Sequence, residues 1–410
     1  MNISRTDVKS QDKNDPLASM AKAFHLPENM IYLDGNSLGA MPVAVVERIQ
    51  QLVTKEWAED LIHSWNDNNW FRLAESIGDK IAKLIGAESG EVIVSDCVSV
   101  NLFKLVVAAL KKQKGRKKIV TELGNFPTNA YVLQGIAKMF DGQVEIVAVE
   151  RSRLEQAIDD DTAVVVLVHA HYKSSEMFDM EAITNLAHDK GALILWDLCH
   201  SAGAMPIELS ALNVDMAVGC GYKYLNGGPG APAFLYIAKK LQSSLEQPIS
   251  GWWGHDNPFT FSEDYIPAPD IRQAQSGTQS VLGLAALEVG IDTALVADLK
   301  DVRDKSQKLG KLFIQLVQQN CPDIQIASPE EDDKRGSHVS IQHEQGYAVT
   351  RALADRGVVV DFRAPDVIRF GFAPLYTSYE NIWDTVEHLT AIIQDGSWDK
   401  EEYKQKATVT

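Results

Sequence analysis

The sequence predicts an α/β protein with a mainly parallel sheet in a large domain and a small α+β domain behind it. Short apolar runs alternate with amphipathic runs from about residue 91 to residue 238, as expected of parallel strands joined by helices. After about residue 297 this alternation gives way to a long amphipathic stretch and a few short strands. The chain of 410 residues is also too long for one simple core, so two structural domains are expected.

The large domain is predicted to hold seven strands. Its apolar runs are short and bounded by turn or polar residues, whereas the helical runs repeat apolar residues at helical spacing. The predicted strands are 91–96, 117–123, 143–150, 162–170, 192–197, 216–221 and 231–238, and the predicted helices are 98–110, 129–140 and 180–191.

The C-terminal part predicts a smaller domain of mixed character. Its predicted helices are 300–319, 347–357 and 379–394, and its predicted strands are 337–342, 358–362 and 367–373. We therefore divide the chain into an N-terminal segment that joins the small domain (1–54), a large domain (55–297) and a small C-terminal domain (298–410). Residues 1–20 are polar and are predicted to be poorly ordered.

The composition argues against several classes of partner. The net charge of −17 and the pI near 5.0 disfavour binding to nucleic acid or to an anionic membrane. The longest apolar run, 163–168, is far too short to span a membrane, and the N-terminus shows no secretory signal. The four cysteines show no CxxC spacing, which favours a reducing cytoplasm. His169 and His171 share one strand face, but no further ligand completes a metal site, so a polar strand end is favoured.

Two residues at neighbouring strand ends suggest cofactor chemistry. Lys223 lies in GCGYKYLNGGPGAP, where glycines allow the backbone to turn tightly beside a ligand, although a solvent-exposed lysine would fit as well. Asp197 ends an apolar strand, which places a carboxylate at the edge of the sheet, although it could instead cap a helix. A lysine amine and a carboxylate are the two groups that pyridoxal phosphate requires. Their joint presence favours the cofactor interpretation over both alternatives.

A phosphate group would fit at the start of the first large-domain helix. Helix N-termini bind phosphate because their first N–H groups have no partner within the helix. Val98 and Ser99 open the helix that follows the strand at 91–96, although Ser99 could serve only as a helix cap.

A set of motifs resembles the kynureninase family over nearly the whole chain, from about residue 30 to residue 395. The pair WDLCHSAGA and GYKYLNGGPGAP is specific, because either motif alone would indicate only the broader aminotransferase-like superfamily. The resemblance implies a pyridoxal-phosphate enzyme of fold type I. Its motifs are YLDGNSLGAMP (32–42), NFPTN (125–129), WDLCHSAGA (196–204), GYKYLNGGPGAP (221–232), GWWGH (251–255), SGT (276–278) and DFRAPDVIRFGF (361–372).

The resemblance also implies a role for each motif residue. Lys223 would carry the cofactor as a Schiff base, Asp197 would face the ring nitrogen, and Tyr222 would serve as acid and base. Arg369 would bind the substrate α-carboxylate, with an internal salt bridge as its alternative. The other implied cofactor-binding residues are Val98, Ser99, Phe126, Thr128, Asn129, His200, Trp252 and Thr278, and the other implied substrate-binding residues are Trp65, Asn36, Ser37, His255 and Gly277.

The implied reaction is the hydrolysis of L-kynurenine to anthranilate and L-alanine in tryptophan catabolism, by a homodimer whose subunits share active sites. Trp252 and Thr278 would come from the partner subunit, and Trp65, Gly277 and Thr278 match bacterial-type members. A related pyridoxal-phosphate enzyme that acts on a modified kynurenine or on another amino acid, such as a cysteine-desulfurase-like lyase or an aminotransferase, remains an alternative. A catalytically impaired cofactor-binding protein is the other. Five positions depart from the family pattern, namely Asn129, where the family carries Asp, and Val168, His171, Ser175 and Glu176.

Overall fold

The computed structural model describes residues 3–407, and its helices and strands follow the sequence pattern closely in the large domain. The strands are β1 (Phe24–His25), β2 (Ile31–Tyr32), β3 (Met41–Pro42), β4 (Val92–Val94), β5 (Lys118–Glu122), β6 (Glu145–Val149), β7 (Thr162–Val168), β8 (Leu193–Asp197), β9 (Met216–Gly219), β10 (Phe234–Ile237), β11 (Gln325–Ile326), β12 (His338–Gln342), β13 (Val358–Val359), β14 (Asp361–Arg363) and β15 (Val367–Gly371). The helices are α1 (Arg5–Lys13), α2 (Ala44–Gln51), α3 (Ser64–Asp67), α4 (Leu73–Leu84), α5 (Val98–Lys112), α6 (Pro127–Met139), α7 (Leu154–Ala157), α8 (Met180–Asp189), α9 (Lys239–Gln242), α10 (Val281–Ala294), α11 (Leu299–Asn320), α12 (Gly346–Asp355), α13 (Tyr379–Asp395) and α14 (Glu401–Lys404).

The large domain contains a seven-stranded sheet in the order β4-β10-β9-β8-β7-β5-β6. All of its strands run in one direction except β10, which pairs antiparallel with β4 and with β9. Strand β7 is buried along its whole length, because helices cover both faces of the sheet and leave no polar face. The predicted α/β fold with a mainly parallel sheet is therefore confirmed. The carboxyl ends of the parallel strands meet at one edge, which is where ligands bind in open sheets of this kind.

The small domain is built on a second, antiparallel sheet in the order β11-β12-β15-β14. Its separate apolar core includes Phe313 of α11, whose ring packs against Phe370 of β15 at 4.5 Å between centroids. The predicted strand 358–362 is wrong as a single element. Val358–Val359 pairs with β2 of the N-terminal segment, and Asp361–Arg363 joins the small sheet, so the chain changes partner at Val360.

The N-terminal segment is ordered where it is described, which corrects the prediction for residues 1–20. A capping box formed by Ser4 and Asp7 opens α1, and Val8 is fully buried in the small-domain core. The Asp12 carboxylate accepts backbone hydrogen bonds from Tyr379 and Glu380 at the start of α13. A polar sequence therefore forms a helix here because a distant element holds it. Residues 1–2 and 408–410, which belong to the predicted terminal segments, lie outside the described residues.

The division of the chain at residues 54 and 297 stays a prediction. Residues Leu52–Trp57 continue α2 as a π-helix, so the first boundary falls inside a helical segment. Within residues 3–407, no helix is both long enough and apolar enough to cross a lipid bilayer.

Candidate active site

A cleft of about 670 Å³ opens at the carboxyl ends of the large-sheet strands. It is bounded by the turn before α5, the loop before α6 and the ends of β7, β8 and β9. Many of the residues proposed from sequence meet here although they are far apart in the chain. The predicted site residues that line the cleft are Val98, Ser99, Phe126, Thr128, Asp197, His200, Tyr222 and Lys223.

Asp197, the last residue of β8, is almost fully buried, and its two carboxylate oxygens have different partners. One oxygen accepts a hydrogen bond from the backbone N–H of Cys199 at 2.9 Å. Asp197 therefore also caps the backbone, as the alternative drawn from sequence proposed, but it caps a turn and not a helix. The other oxygen accepts from the Asn129 side-chain amide at 3.0 Å. Asn129 is itself held by Asn125 at 3.0 Å. The departure from the family pattern at Asn129 therefore adds a hydrogen-bond donor to Asp197 in place of a second negative charge.

Lys223 projects into the same cleft and contacts His200. The Lys223 Nζ lies 3.3 Å from the His200 Nε2 and 5.9 Å from the centre of the Phe126 ring. Burial, and then the charge of Lys223, lowers the pKa of His200 well below its usual range, so this imidazole is neutral. A neutral imidazole can accept a hydrogen bond from the lysine amine without repelling it. Burial also raises the pKa of Tyr222, whose hydroxyl therefore stays protonated and can donate a proton.

Helix α5 directs its N-terminus into the cleft. Its N-cap residue, Cys97, makes no side-chain capping hydrogen bond within the described chain, which leaves the first N–H groups of the helix available. The preceding Asp96 has a left-handed φ of 50°, and its carboxylate is held by the buried Lys104 at 2.7 Å. This ion pair fixes the turn that aims the helix N-terminus. The N-cap alternative for Ser99 does not apply, because Ser99 lies inside the helix.

These groups together fit pyridoxal phosphate. The cofactor carries an aldehyde, a pyridine nitrogen, a flat ring and a phosphate, and each finds a suitable partner in the cleft. Lys223 offers an amine, Asp197 a carboxylate, Phe126 an aromatic surface that is 40% exposed, and α5 an open N-terminus. No group of three or more His, Cys, Asp or Glu residues within residues 3–407 could hold a metal ion.

Arg369 lies on β15, beyond the cleft, and is buried in a network of internal hydrogen bonds. Its guanidinium pairs with the carboxylate of Asp361, which is opposite it on β14, with 2.7 Å between Arg369 Nε and Asp361 Oδ1. It also donates to the Tyr172 backbone carbonyl and, at 2.9 Å, to the Ser37 hydroxyl. The internal salt bridge considered from sequence is therefore present, and a substrate role for Arg369 stays a prediction. Asn36 is fully buried beside Gly371 and makes no side-chain hydrogen bond to the described residues.

The remaining predicted residues lie outside the Lys223 cleft of their own chain. Trp65, Trp252 and Thr278 line a second, aromatic cleft of about 1260 Å³, in which Trp252 also packs edge-on against Trp253. Gly277 and Thr278 border a smaller polar cleft beside Asp96. His255 is held by the Asp264 carbonyl at 3.2 Å and lines neither cleft. One chain therefore does not bring this group of residues to Lys223.

Sequence reasoning missed four residues that line or border the site. Cys199 and Cys220 both line the cleft as free thiols, and each lies two residues past an aligned pair, Asp197 and Val218, on β8 and β9. Equal offsets from the ends of two strands predict that the thiols lie together only once the strands are known to be neighbours in the sheet. Asp361 and Arg363 lie within a motif already singled out, and the hairpin formed by β14 and β15 brings them to Arg369.

Comparison with known proteins identifies the family. A family described as the kynureninase C-terminal domain matches residues 302–389, and the DegT/DnrJ/EryC1/StrS aminotransferase family matches residues 54–207. Kynureninase from Pseudomonas fluorescens is 46% identical and that from Burkholderia pseudomallei (strain K96243) is 44% identical, each match covering 99% of this chain and 99% of the relative.

Solved structures share the fold at much lower identity. A cysteine desulfurase from Escherichia coli superposes with a TM-score of 0.78 at 17% identity, covering 92% of this chain and 98% of that chain. A cysteine desulfurase from Thermococcus onnurineus NA1 gives a TM-score of 0.76 at 20% identity, covering 96% of this chain and 99% of that one. The resemblance drawn from the motifs is confirmed by the full-length relatives: the chain belongs to the kynureninase family.

Proposed function

We propose that this enzyme uses pyridoxal phosphate to hydrolyse L-kynurenine to anthranilate and L-alanine. One observation carries the proposal. Lys223, Asp197 and the open N-terminus of α5 meet in one cleft, in a chain that is 46% identical to a kynureninase over its full length. Bound in this cleft, the cofactor would supply an electron sink for the carbon atoms of the substrate.

The residues of the cleft would divide the work of binding and proton transfer. Lys223 would bind the cofactor covalently, and its freed amine would then remove the substrate α-proton. Asp197 would keep a proton on the ring nitrogen, with Asn129 holding one carboxylate oxygen in place. His200, which is neutral, would orient the Lys223 amine. Tyr222, whose hydroxyl stays protonated, would donate protons in the carbonyl and bond-cleavage steps. Phe126 would stack on the ring, and Val98 and Ser99 would hold the phosphate.

We further propose that the enzyme is a homodimer with shared active sites. Trp65, Trp252, Gly277 and Thr278 lie away from the Lys223 cleft of their own chain, so a partner subunit would have to supply them. An apolar groove supports this assembly, since exposed apolar patches commonly mark protein interfaces. Residues on this face include Met30, Leu38, Met41, Pro42, Val45 and Leu282. We also place the enzyme in the cytoplasm, in tryptophan catabolism and NAD biosynthesis, and retain the division into residues 1–54, 55–297 and 298–410.

Product analysis tests the proposed reaction directly. Purified protein loaded with pyridoxal phosphate would be incubated with kynurenine, and the products identified by mass spectrometry. We expect equimolar anthranilate and alanine, and we expect neither from a Lys223→Ala variant. Absence of both products from the wild-type enzyme would overturn the proposal.

The same assay separates the alternative functions. Incubation with cysteine and a thiol reductant would yield alanine and sulfide from a desulfurase, because the reductant releases the sulfur from the enzyme persulfide. Incubation with kynurenine as amino donor and a 2-oxo acid as acceptor would yield a new amino acid from an aminotransferase. The structure disfavours Cys321 as a desulfurase nucleophile, because this thiol is buried in the small-domain core, 3.3 Å from the Thr390 hydroxyl.

A further inference from the structure

The hydrogen-bond capacity of Arg369 is almost used up within the protein. A guanidinium has five N–H donors. Two of those of Arg369 go to Asp361, one to Ser37 and one to the Tyr172 carbonyl, and its side chain is only 2% exposed. The Ser37 hydroxyl is also fully used, because it donates to Asp361 and accepts from two arginines. Arg369 therefore retains one free N–H within the described chain, too few for a two-pronged contact with a substrate carboxylate.

A second arginine at the same place has the missing donors. Arg363 shares Asp361 and Ser37 with Arg369, at 2.9 Å from Asp361 Oδ2 and 3.2 Å from Ser37 Oγ. Its only other bond within residues 3–407 is to the Phe362 carbonyl, so its Nε–H and one further N–H are free. The side chain is 31% exposed, in contrast to the buried Arg369.

Tyr172 connects the two arginines to the Lys223 cleft, because it lines that cleft and its backbone carbonyl accepts a hydrogen bond from Arg369, the neighbour of Arg363 across Ser37 and Asp361. The charge of Arg363 acts on the hydroxyl of Tyr172, a residue that lines the Lys223 cleft, and opposes the rise that burial causes in the Tyr172 pKa. Burial alone would raise the pKa of Asp361. The hydrogen bonds and charge of Arg369, followed by the charge of Arg363, instead hold this pKa well below its usual range. One ionised carboxylate thus faces two guanidinium groups, which leaves one positive charge for a ligand.

We infer that Arg363 is a second substrate-binding residue, which holds the α-carboxylate of the substrate jointly with Arg369. The inference rests on the proposed function and deepens it. Arg369, fixed by Asp361, Tyr172 and Ser37, would offer its one free N–H, and Arg363 would offer the others. Two arginines that share one buried carboxylate form a receptor whose geometry is set before the substrate arrives, and such preorganisation lowers the cost of binding.

Removing the carboxylate from the ligand tests this inference. Kynurenine would be compared with its decarboxylated analogue, kynuramine, in the wild type and in Arg363→Ala, Arg363→Lys and the control Arg351→Ala, an exposed arginine on α12. We expect Arg363→Ala to raise the KM for kynurenine about 10- to 100-fold with little change in kcat. The affinity for kynuramine should change less than about twofold, because it lacks the group that Arg363 binds. The KM of Arg363→Lys for kynurenine should lie between those of the wild type and Arg363→Ala, since an ammonium keeps the charge and loses the planar fork.

A binding measurement makes the result independent of turnover. L-alanine and ethylamine differ by the carboxylate alone, and each can be titrated into the cofactor-loaded protein while the cofactor absorbance is followed. Arg363→Ala should weaken the binding of alanine and leave the binding of ethylamine unchanged, whether or not kynurenine is hydrolysed. Equal weakening of both ligands, or of neither, in Arg363→Ala protein that is still folded at the assay temperature would overturn the inference and leave the proposed reaction untouched.

Discussion

The two ends of the candidate site are built in opposite ways. At the ring end, Asp197, Lys223 and the α5 N-terminus come from one parallel sheet and keep hydrogen-bonding capacity for a ligand. At the carboxylate end, the charged groups come from the N-terminal segment and the small-domain sheet, and they bind one another. The first end is open before a ligand arrives, whereas the second is a network of internal bonds in which, among the described residues, two N–H groups of Arg363 and one of Arg369 remain for a ligand.

This difference determines what a substitution should do. A change at the ring end removes a group that is proposed to act on the cofactor, so activity should fall while folding persists. A change at the carboxylate end breaks a buried ion pair, so stability should fall together with affinity, because the remaining charge is left without its partner.

The largest effect is expected at Asp197. Asp197→Asn keeps the size of the side chain and removes the charge that, on the proposed function, would face the ring nitrogen of the cofactor, so kcat/KM should fall on the order of 10³-fold. The melting temperature should change little. Steady-state kinetics and thermal unfolding would be compared with Asp161→Asn, an exposed aspartate at the opposite end of the sheet. A loss of activity that merely follows a loss of folded protein would contradict the division between the two ends.

Arg369→Ala should show the reverse pattern. The variant leaves the Asp361 carboxylate buried with only Arg363 and Ser37, so the free energy of unfolding should drop by about 3 kcal/mol. The KM for kynurenine should rise as well. Urea unfolding at fixed cofactor concentration measures the first effect. Unchanged stability with a raised KM would mean that Arg369 is free for the substrate and that the ion pair contributes little.

The aromatic cleft makes a weaker prediction about ring substituents. If Trp65, Gly277 and Thr278 face the substrate ring across a dimer, an added hydroxyl loses water without gaining a full set of partners. The kcat/KM for 3-hydroxykynurenine should then be about 5- to 150-fold lower than for kynurenine. Kinetics with both substrates at one pH decide the question. Equal or higher kcat/KM for the hydroxylated compound would show that Trp65 does not shape the ring pocket.

The smallest expected effect is a pH dependence at the carboxylate end. Burial, and then the charge of Asp361, raises the pKa of Asp34 to about 8, while Arg369 opposes the rise. Asp34 is therefore protonated at neutral pH and becomes a competing anion as the pH rises through about 8. The KM for kynurenine should rise about fivefold between pH 7 and 9. Asp34→Asn, which cannot ionise, should remove this part of the rise, and an identical pH profile in both proteins would contradict it.

The same group gives a stability test with a defined direction. A carboxyl whose pKa is raised on folding stabilises the folded state most fully below its unfolded pKa of about 4. Between the two pKa values folding takes up a proton, which becomes less favourable as the pH rises. The contribution of Asp34 is therefore lost as the pH rises through about 8. Asp34→Asn should therefore flatten the decline of stability between these pH values.

The ring end was accessible to sequence reasoning because local pattern determines it. An apolar run that ends in Asp197, and another followed by Lys223, place both side chains at the carboxyl edge of a parallel sheet. The turn before α5 could be predicted from local pattern in the same way. The pairing of strands also brings Cys199 and Cys220 together, and this needed the order of strands in the sheet, which the sequence does not state.

The carboxylate end depends on contacts between distant segments, so the sequence revealed its residues but not their pairing. Asp361 faces Arg369 through the register of a hairpin, and Ser37 reaches both from the N-terminal segment, 324 residues away from Asp361. The order of α1 has the same origin, since a polar helix is stable only where α13 and the small-domain core hold it. Local polarity therefore predicted disorder where tertiary packing prevailed.

The most direct test of this account is the position of the cofactor on the chain. Protein purified with pyridoxal phosphate should be yellow, and borohydride should remove the absorbance band and leave a stable adduct. Peptide mapping should place that adduct on Lys223, the lysine that contacts His200 in the cleft. An adduct on Lys104 or Lys173, or none on Lys223, would contradict the account, because the ring end would then not be where Asp197 and α5 define it.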